Sequence, residues 1–127
     1  MVSMNTGSLA QLVRDSIDSV PTSVDSGTNI VDWINLGAQR AANYTGQTVS
    51  TDNVAAAFQP MLFDWGRVMV LSKMMGVGVD FNVSLGEFSV SKSEASPEMT
   101  QLKISMDNVK MELLSIGKQI PFSTAFQ

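Results

Sequence analysis

Asp64 and Arg67 stand three residues apart in a stretch that is otherwise almost wholly apolar, PMLFDWGRVMVLSKMM from Pro60 to Met75. A carboxylate and a guanidinium at that spacing share one face of a helix, so they can form a partly buried ion pair or the polar part of a functional site. The ion pair beside the core is the preferred reading. The remaining carboxylates point to less: twelve Asp and Glu residues are spread along faces expected to be wet, and none is flanked by a second titratable group in a recurring motif. Solvation is their expected role. With no His and no Cys, the chain lacks the commonest general base, the usual zinc ligands, thiol nucleophiles and disulfides. Gly76-Val77-Gly78 is no phosphate loop, since no Lys-Ser or Lys-Thr follows and a helix precedes it. Trp33 and Trp65 could stack a ligand, but each lies near the middle of an apolar stripe and is read as a core anchor. No catalytic residue, cofactor or metal site is assigned, and a carboxylate-dependent enzyme is the weakest of the readings kept open.

The element that must carry Asp64 and Arg67 is a helix apolar on nearly every side. Met61, Leu62, Trp65, Val68, Met69 and Ser72 form one stripe, and Phe63, Val70, Leu71 and Met74 cover most of the rest. It is too short and too charged to span a membrane, so its cover is protein. Around it the pattern predicts a mainly α fold: a small helical bundle with one β-hairpin and an extended C-terminal tail, in a single domain over residues 1–127. Residues 1–7 are read as a loose leader. Ser8 and Gln11 form a capping box for a helix over 8–20, ended by Pro21. Asn29 caps a second helix over 29–44, with Gly46 as its left-handed stop. Ser50 or Thr51 caps a third over 51–75, with a kink or a brief break at Pro60 and its end at Gly76 and Gly78. Phe81 and Val83 alternate with polar residues before Leu85-Gly86, as do Phe88 and Val90 after it, which predicts a hairpin near 79–91 with Gly86 in the turn. Ser96-Pro97-Glu98 opens a last helix over 97–116, in which Met99, Leu102, Met106, Val109, Leu113 and Ile116 make the stripe and Gly117 the stop.

Composition fits an ordinary small domain with a Ser, Thr and Asn coat or, on the sharper reading, a subunit whose sides are covered by its neighbours. Charged residues are 16% of the chain and hydrophobic residues 44%, with nine Met, where an ordinary soluble domain carries roughly a quarter charged. Interface centres are depleted in charge and enriched in Met and aromatics. A two-stranded hairpin is marginal alone, so it lies on the helices or pairs with a neighbour. The tail 118–127 carries Ile120, Pro121, Phe122 and Phe126, where a free tail is usually polar, and reads as a docking arm or as a segment folded back on the helices. Phe81, Phe88, Val90, Ile120, Pro121, Phe122 and Phe126 are the candidate interface residues. The net charge of −4 and the scattered Lys and Arg argue against nucleic-acid binding.

The order of elements resembles the head-tail adaptor proteins of tailed bacteriophages. The strings that carry it are Ile34 to Gly46, a helix with a Tyr-Thr-Gly stop; Phe63 to Met75, the buried helix; Gly86 to Ser91, GEFSVS; and Leu113 to Lys118, LLSIGK. The resemblance implies a virion protein assembled in the host cytoplasm. It would form a twelve-subunit homo-oligomeric ring beneath the portal protein, contact a downstream neck or tail protein, and let DNA pass without specific binding, with no enzymatic activity, cofactor or membrane. A small helical binding or regulatory module, acting as monomer or dimer, is the alternative.

Overall fold

The computed structural model describes residues 4–17, 20–25, 29–83, 86–91 and 96–119, and it is mainly helical. The four helices are α1 (Thr6–Ser16), α2 (Asn29–Thr45), α3 (Gln59–Met75) and α4 (Pro97–Gln119), with the hairpin strands β1 (Val79–Asn82) and β2 (Glu87–Val90) between the last two. α3 is the hub, packed by α1, α2 and α4. Its apolar circumference has the consequence expected of it: Met61, Leu62, Trp65, Val68, Val70 and Leu71 are all buried. Small residues set the closest approaches. A methyl group on Gly66 would lie 2.7 Å from Val13 Cγ2 of α1, so no larger residue fits without moving α1 or α3 apart.

α1 starts two residues before the sequence places it. Asn5, not Ser8, is the cap, and its Oδ1 accepts the Ser8 amide at 2.7 Å. Gln11 makes no capping box; it bonds Asp15 and Arg14 along the helix surface. Nor is the leader loose from Met4 onward. Val54 N donates to Met4 O and Thr6 N to Thr51 O, so residues 4–6 are stitched to the segment before α3. The same stitches explain why no helix forms over 51–55. The Asn53 amide goes to Ser50 Oγ and the Val54 carbonyl to the Gln59 side chain, and only a 3₁₀ turn at Ala56–Phe58 precedes α3. Long-range pairing outweighs a weak local helix preference here. Pro60 then sits in the first turn of α3, where its missing N–H costs nothing.

α1 also stops early, at Ser16, well before Pro21. Arg67 of α3 caps that end, donating to Ser16 O at 3.2 Å and to Ser16 Oγ at 2.8 Å, so a carbonyl left over at the helix end finds its partner in another helix. The stops at Gly46 and Gly76 are as read, both left-handed, with φ of 74° and 68°. Gly117 is not a stop: α4 continues through it to Gln119, which takes the first two residues of the expected tail into the helix. The hairpin is antiparallel, with Val79 opposite Val90 and Phe81 opposite Phe88, and Gly86 in the turn at φ 65°.

Candidate functional site

Trp65 is the post on which the hairpin is set. A methyl group on Gly37 of α2 would lie 2.7 Å from the indole ring, so glycine there is what lets α2 close over it. On the other side stand Phe81 and Phe88. The Trp65–Phe81 centroids are 5.3 Å apart with planes at 75°, Trp65–Phe88 5.2 Å at 50°, and Phe81–Phe88 4.9 Å at 56°. Tilted and edge-on pairs of this kind add about 0.5–1.5 kcal/mol each beyond the area they bury. Phe81 is buried, while Phe88 and Val90 are half-buried and pack on the core. Three of the candidate interface residues are thus brought onto the subunit's own helices. The other four, Ile120, Pro121, Phe122 and Phe126, lie outside the described residues.

The hairpin's register also says what its edges offer. Ser91 N donates to Gly78 O, so by antiparallel alternation Asp80 pairs with Ser89 through the backbone and the Phe81 amide turns outward. That amide is taken by Asp80, its own neighbour, whose Oδ1 accepts it at 3.0 Å. An incoming strand therefore meets one donor already occupied on β1. On β2, Glu87 accepts from Lys110 Nζ of α4 at 2.8 Å, beside a 110 Å³ cavity lined by Phe88, Met106 and Asp107.

Asp64 and Arg67 do not form the expected ion pair. Arg67 turns to Ser16 and to Ser105 Oγ of α4, at 3.4 Å, and acts on Asp64 only through its charge. Asp64, buried at 8% exposure, turns instead to Asn108 and Glu112 on α4. Burial pushes the Asp64 carboxyl above its usual range, against hydrogen bonds from Glu112 and Asn108 and the Arg67 charge, which pull it down. Glu112 is pushed up to about 8, by burial first and then by its hydrogen bond to Asp64 and the Asp64 charge. The upward push on both carboxyls points to one proton shared between them, which favours Glu112 as the acid beside the Asp64 carboxylate. Glu112 Oε1 is buried with no partner among the described residues. Sequence reasoning saw Asp64 but gave it the wrong partner. For Glu112 a signal existed: it lies three residues after Val109 and four before Ile116, at the margin of the buried stripe rather than opposite it.

Two further surfaces are available for contact. On α4, Ile104, Met111 and Leu114 are exposed, at 55%, 69% and 42%. Between α1 and the start of α3 runs an open groove of 240 Å³ lined by Met4, Leu9, Leu12, Ala56, Gln59, Pro60 and Phe63, in which Leu12 is 42% exposed. Trp33, read as a core anchor, is only half-buried at the core's margin. Among the described residues no helix is long and apolar enough to cross a membrane, and no three His, Cys, Asp or Glu side chains gather as metal ligands. Comparison with known protein families, curated proteins and solved structures gives no match.

Proposed function

We propose that this chain is a virion structural protein, the head-tail connector adaptor of a tailed bacteriophage, whose copies form a ring beneath the portal and carry the DNA channel on toward the tail. The observation that carries the reading is the outer face of α4. Ile104 and Met111 lie two turns apart with most of their surface in water, and Leu114 adjoins them. Apolar side chains grouped on one helix face, in a chain with only 16% charged residues, are what a subunit covered by its neighbours carries. The element order, three helices, a hairpin and a long last helix, agrees with the resemblance in the sequence. The negative net charge suits a conduit that must not hold phosphates. In this role the Asp64–Glu112 pair belongs to the α3–α4 seam and does no chemistry. The chain's work is to present surfaces to its own copies, to the portal above and to a neck or tail protein below, within the virion.

The mass of the purified protein in solution, alone and mixed with a portal protein, tests this. A ring, or a ring bound to the portal, is the expected result. A protein that stays a single subunit or a dimer in both conditions overturns the reading and favours a small binding or regulatory module.

A further inference from the structure

We propose that the C-terminal segment 120–127 of one copy lies in the α1–α3 groove of the next, as a contact that links subunits beside the outer face of α4. The proposal rests on the ring reading and names the surfaces that would build it.

The first support is position. α4 runs antiparallel to α3: Asp64 meets Asn108 and Glu112, and Arg67 meets Ser105. The end of α4 therefore lies at the end of the bundle where α3 begins. Tyr44, one residue before the end of α2, confirms the placement, since a methyl group on Gly117 would lie 4.0 Å from its ring. The groove opens at this same end, because Pro60 and Phe63 belong to the first turns of α3 and Met4 is stitched to Val54 just before it. The second support is chemistry. Past Gln119 the sequence continues through residues 120–127, IPFSTAFQ, with no charged side chain and two phenylalanines. The groove is apolar and shallow, with Leu12 and Phe63 offering side-chain surface and no Asp, Glu, Lys or Arg in its lining. Extended, the segment reaches roughly 26 Å, and Pro121 restricts its backbone, which lowers the cost of laying it down.

The third support is handedness of contact. α1 and α4 both pack on α3, with no broad interface between them, so the helix that leads into the segment and the helix that walls the groove lie on different sides of α3. A contact between two different patches is heterologous, and heterologous contacts close into rings or run on as filaments, whereas a patch that meets itself stops at a dimer.

Two full-length variants separate the halves of the contact. Leu12→Asp keeps the segment and spoils the groove, at a position exposed enough to tolerate the change; Ala56→Glu, also exposed, repeats the test should Leu12→Asp unfold. Phe122→Asp combined with Phe126→Asp keeps the groove and spoils the segment. Each alone should remain a single subunit by sedimentation, and an equal mixture should give pairs and nothing larger, since only one good contact can form. Rings from either variant alone, or a mixture that stays as single subunits, overturn the proposal. Single subunits in the mixture with lowered melting of both variants would mean that each segment lies in its own groove. Rings of the segment variant that no longer hold the portal would mean that it docks there. A synthetic peptide of residues 119–127 tests the contact independently of the ring. It should bind the segment variant and bind Leu12→Asp about tenfold more weakly; absence of binding sinks the contact even if the wild-type protein forms rings. A bound peptide with a wild-type protein that never assembles, alone or with the portal, instead overturns the ring reading and, with it, the subunit link.

Discussion

α3 and α4 face each other across one seam, yet they meet the solvent in opposite ways. α3 has Pro60, Lys73 and little else in water, while α4 buries Met99, Leu102, Val109, Leu113 and Ile116 on one side and leaves Ile104, Met111 and Leu114 bare on the other. Helices of this kind differ in where their cover comes from. For α3 the fold supplies it, with α1, α2, α4 and the hairpin closing around it. For the outer side of α4 nothing among the described residues does, and that surface is available to another chain. A substitution on α3 should consequently be read out as stability, and one on the outer face of α4 as assembly.

The largest effect expected is at Trp65. Replacing it with Ala removes the ring on which Phe81 and Phe88 rest and leaves a cavity between α2, α3 and the hairpin, at a cost of about 4 kcal/mol in denaturant unfolding. A loss below about 1 kcal/mol would mean that α3 is not the hub.

Next comes the acid pair on the seam itself. Glu112 ionises near 4.5 in an unfolded chain but is pushed up to about 8 in the fold, and Asp64 is also raised. A raised carboxyl pKa means that the native state binds more protons between those values. Stability is therefore greatest below the unfolded value, falls as pH rises from about 4.5 toward 8, and levels off above it. Glu112→Gln keeps a donor toward Asp64 without the ionisation, so its stability should vary less across that interval. At pH 9 it should exceed wild type by on the order of 2 kcal/mol, a figure discounted because Glu112 is not fully buried. Parallel pH profiles for the two proteins would remove the shared proton from the account.

Phe88→Ala should cost less than Trp65→Ala, roughly 1–2 kcal/mol, because Phe88 is only half-buried and part of its surface already meets water. A loss as large as that at Trp65 would show that the hairpin, rather than α3, holds the cluster together. Smallest of all is Met111→Ser on the outer face of α4: melting of the isolated subunit should shift by no more than about 0.5 kcal/mol equivalent, while the yield of assembled rings falls. Unchanged assembly would return α4's outer face to ordinary surface.

Much of this contrast was legible in the sequence. The apolar circumference of α3, the stripe of α4, the glycines at 46, 76 and 86 and the Phe81–Phe88 alternation are local signals, and each landed where its chemistry put it. The errors have a common physical form. Ser8 and Asn5 are both good caps, and backbone bonds from residues 4–6 to 51–54 accompany the choice of Asn5. Residues 51–55 have helical tolerance, but the Thr51 carbonyl and the Val54 amide are claimed by the N-terminal segment, the Asn53 amide by Ser50 and the Val54 carbonyl by Gln59. Gly117 is a plausible stop that α4 passes through, packed beside Tyr44. Arg67 stands three residues from Asp64 yet bonds Ser16 and Ser105, while Asp64 reaches Glu112 on another helix. No window of sequence contains both halves of that pair, so spacing within one helix suggested the nearer and wrong partner.

Arg67 has one more effect, on motion. Its guanidinium joins α3 to residues 51 and 38 positions away in sequence, at the end of α1 and the middle of α4. Helix ends ordinarily fray, and their amides trade hydrogen for deuterium long before the rest of a protein opens. At Ser16 the terminal carbonyl is held by a side chain that is itself anchored in the hub. The last turn of α1 should therefore exchange with the slow amides of α3, as part of one cooperative unit, while the first turn, held through Met4 and Thr6 to the segment before α3, should open sooner.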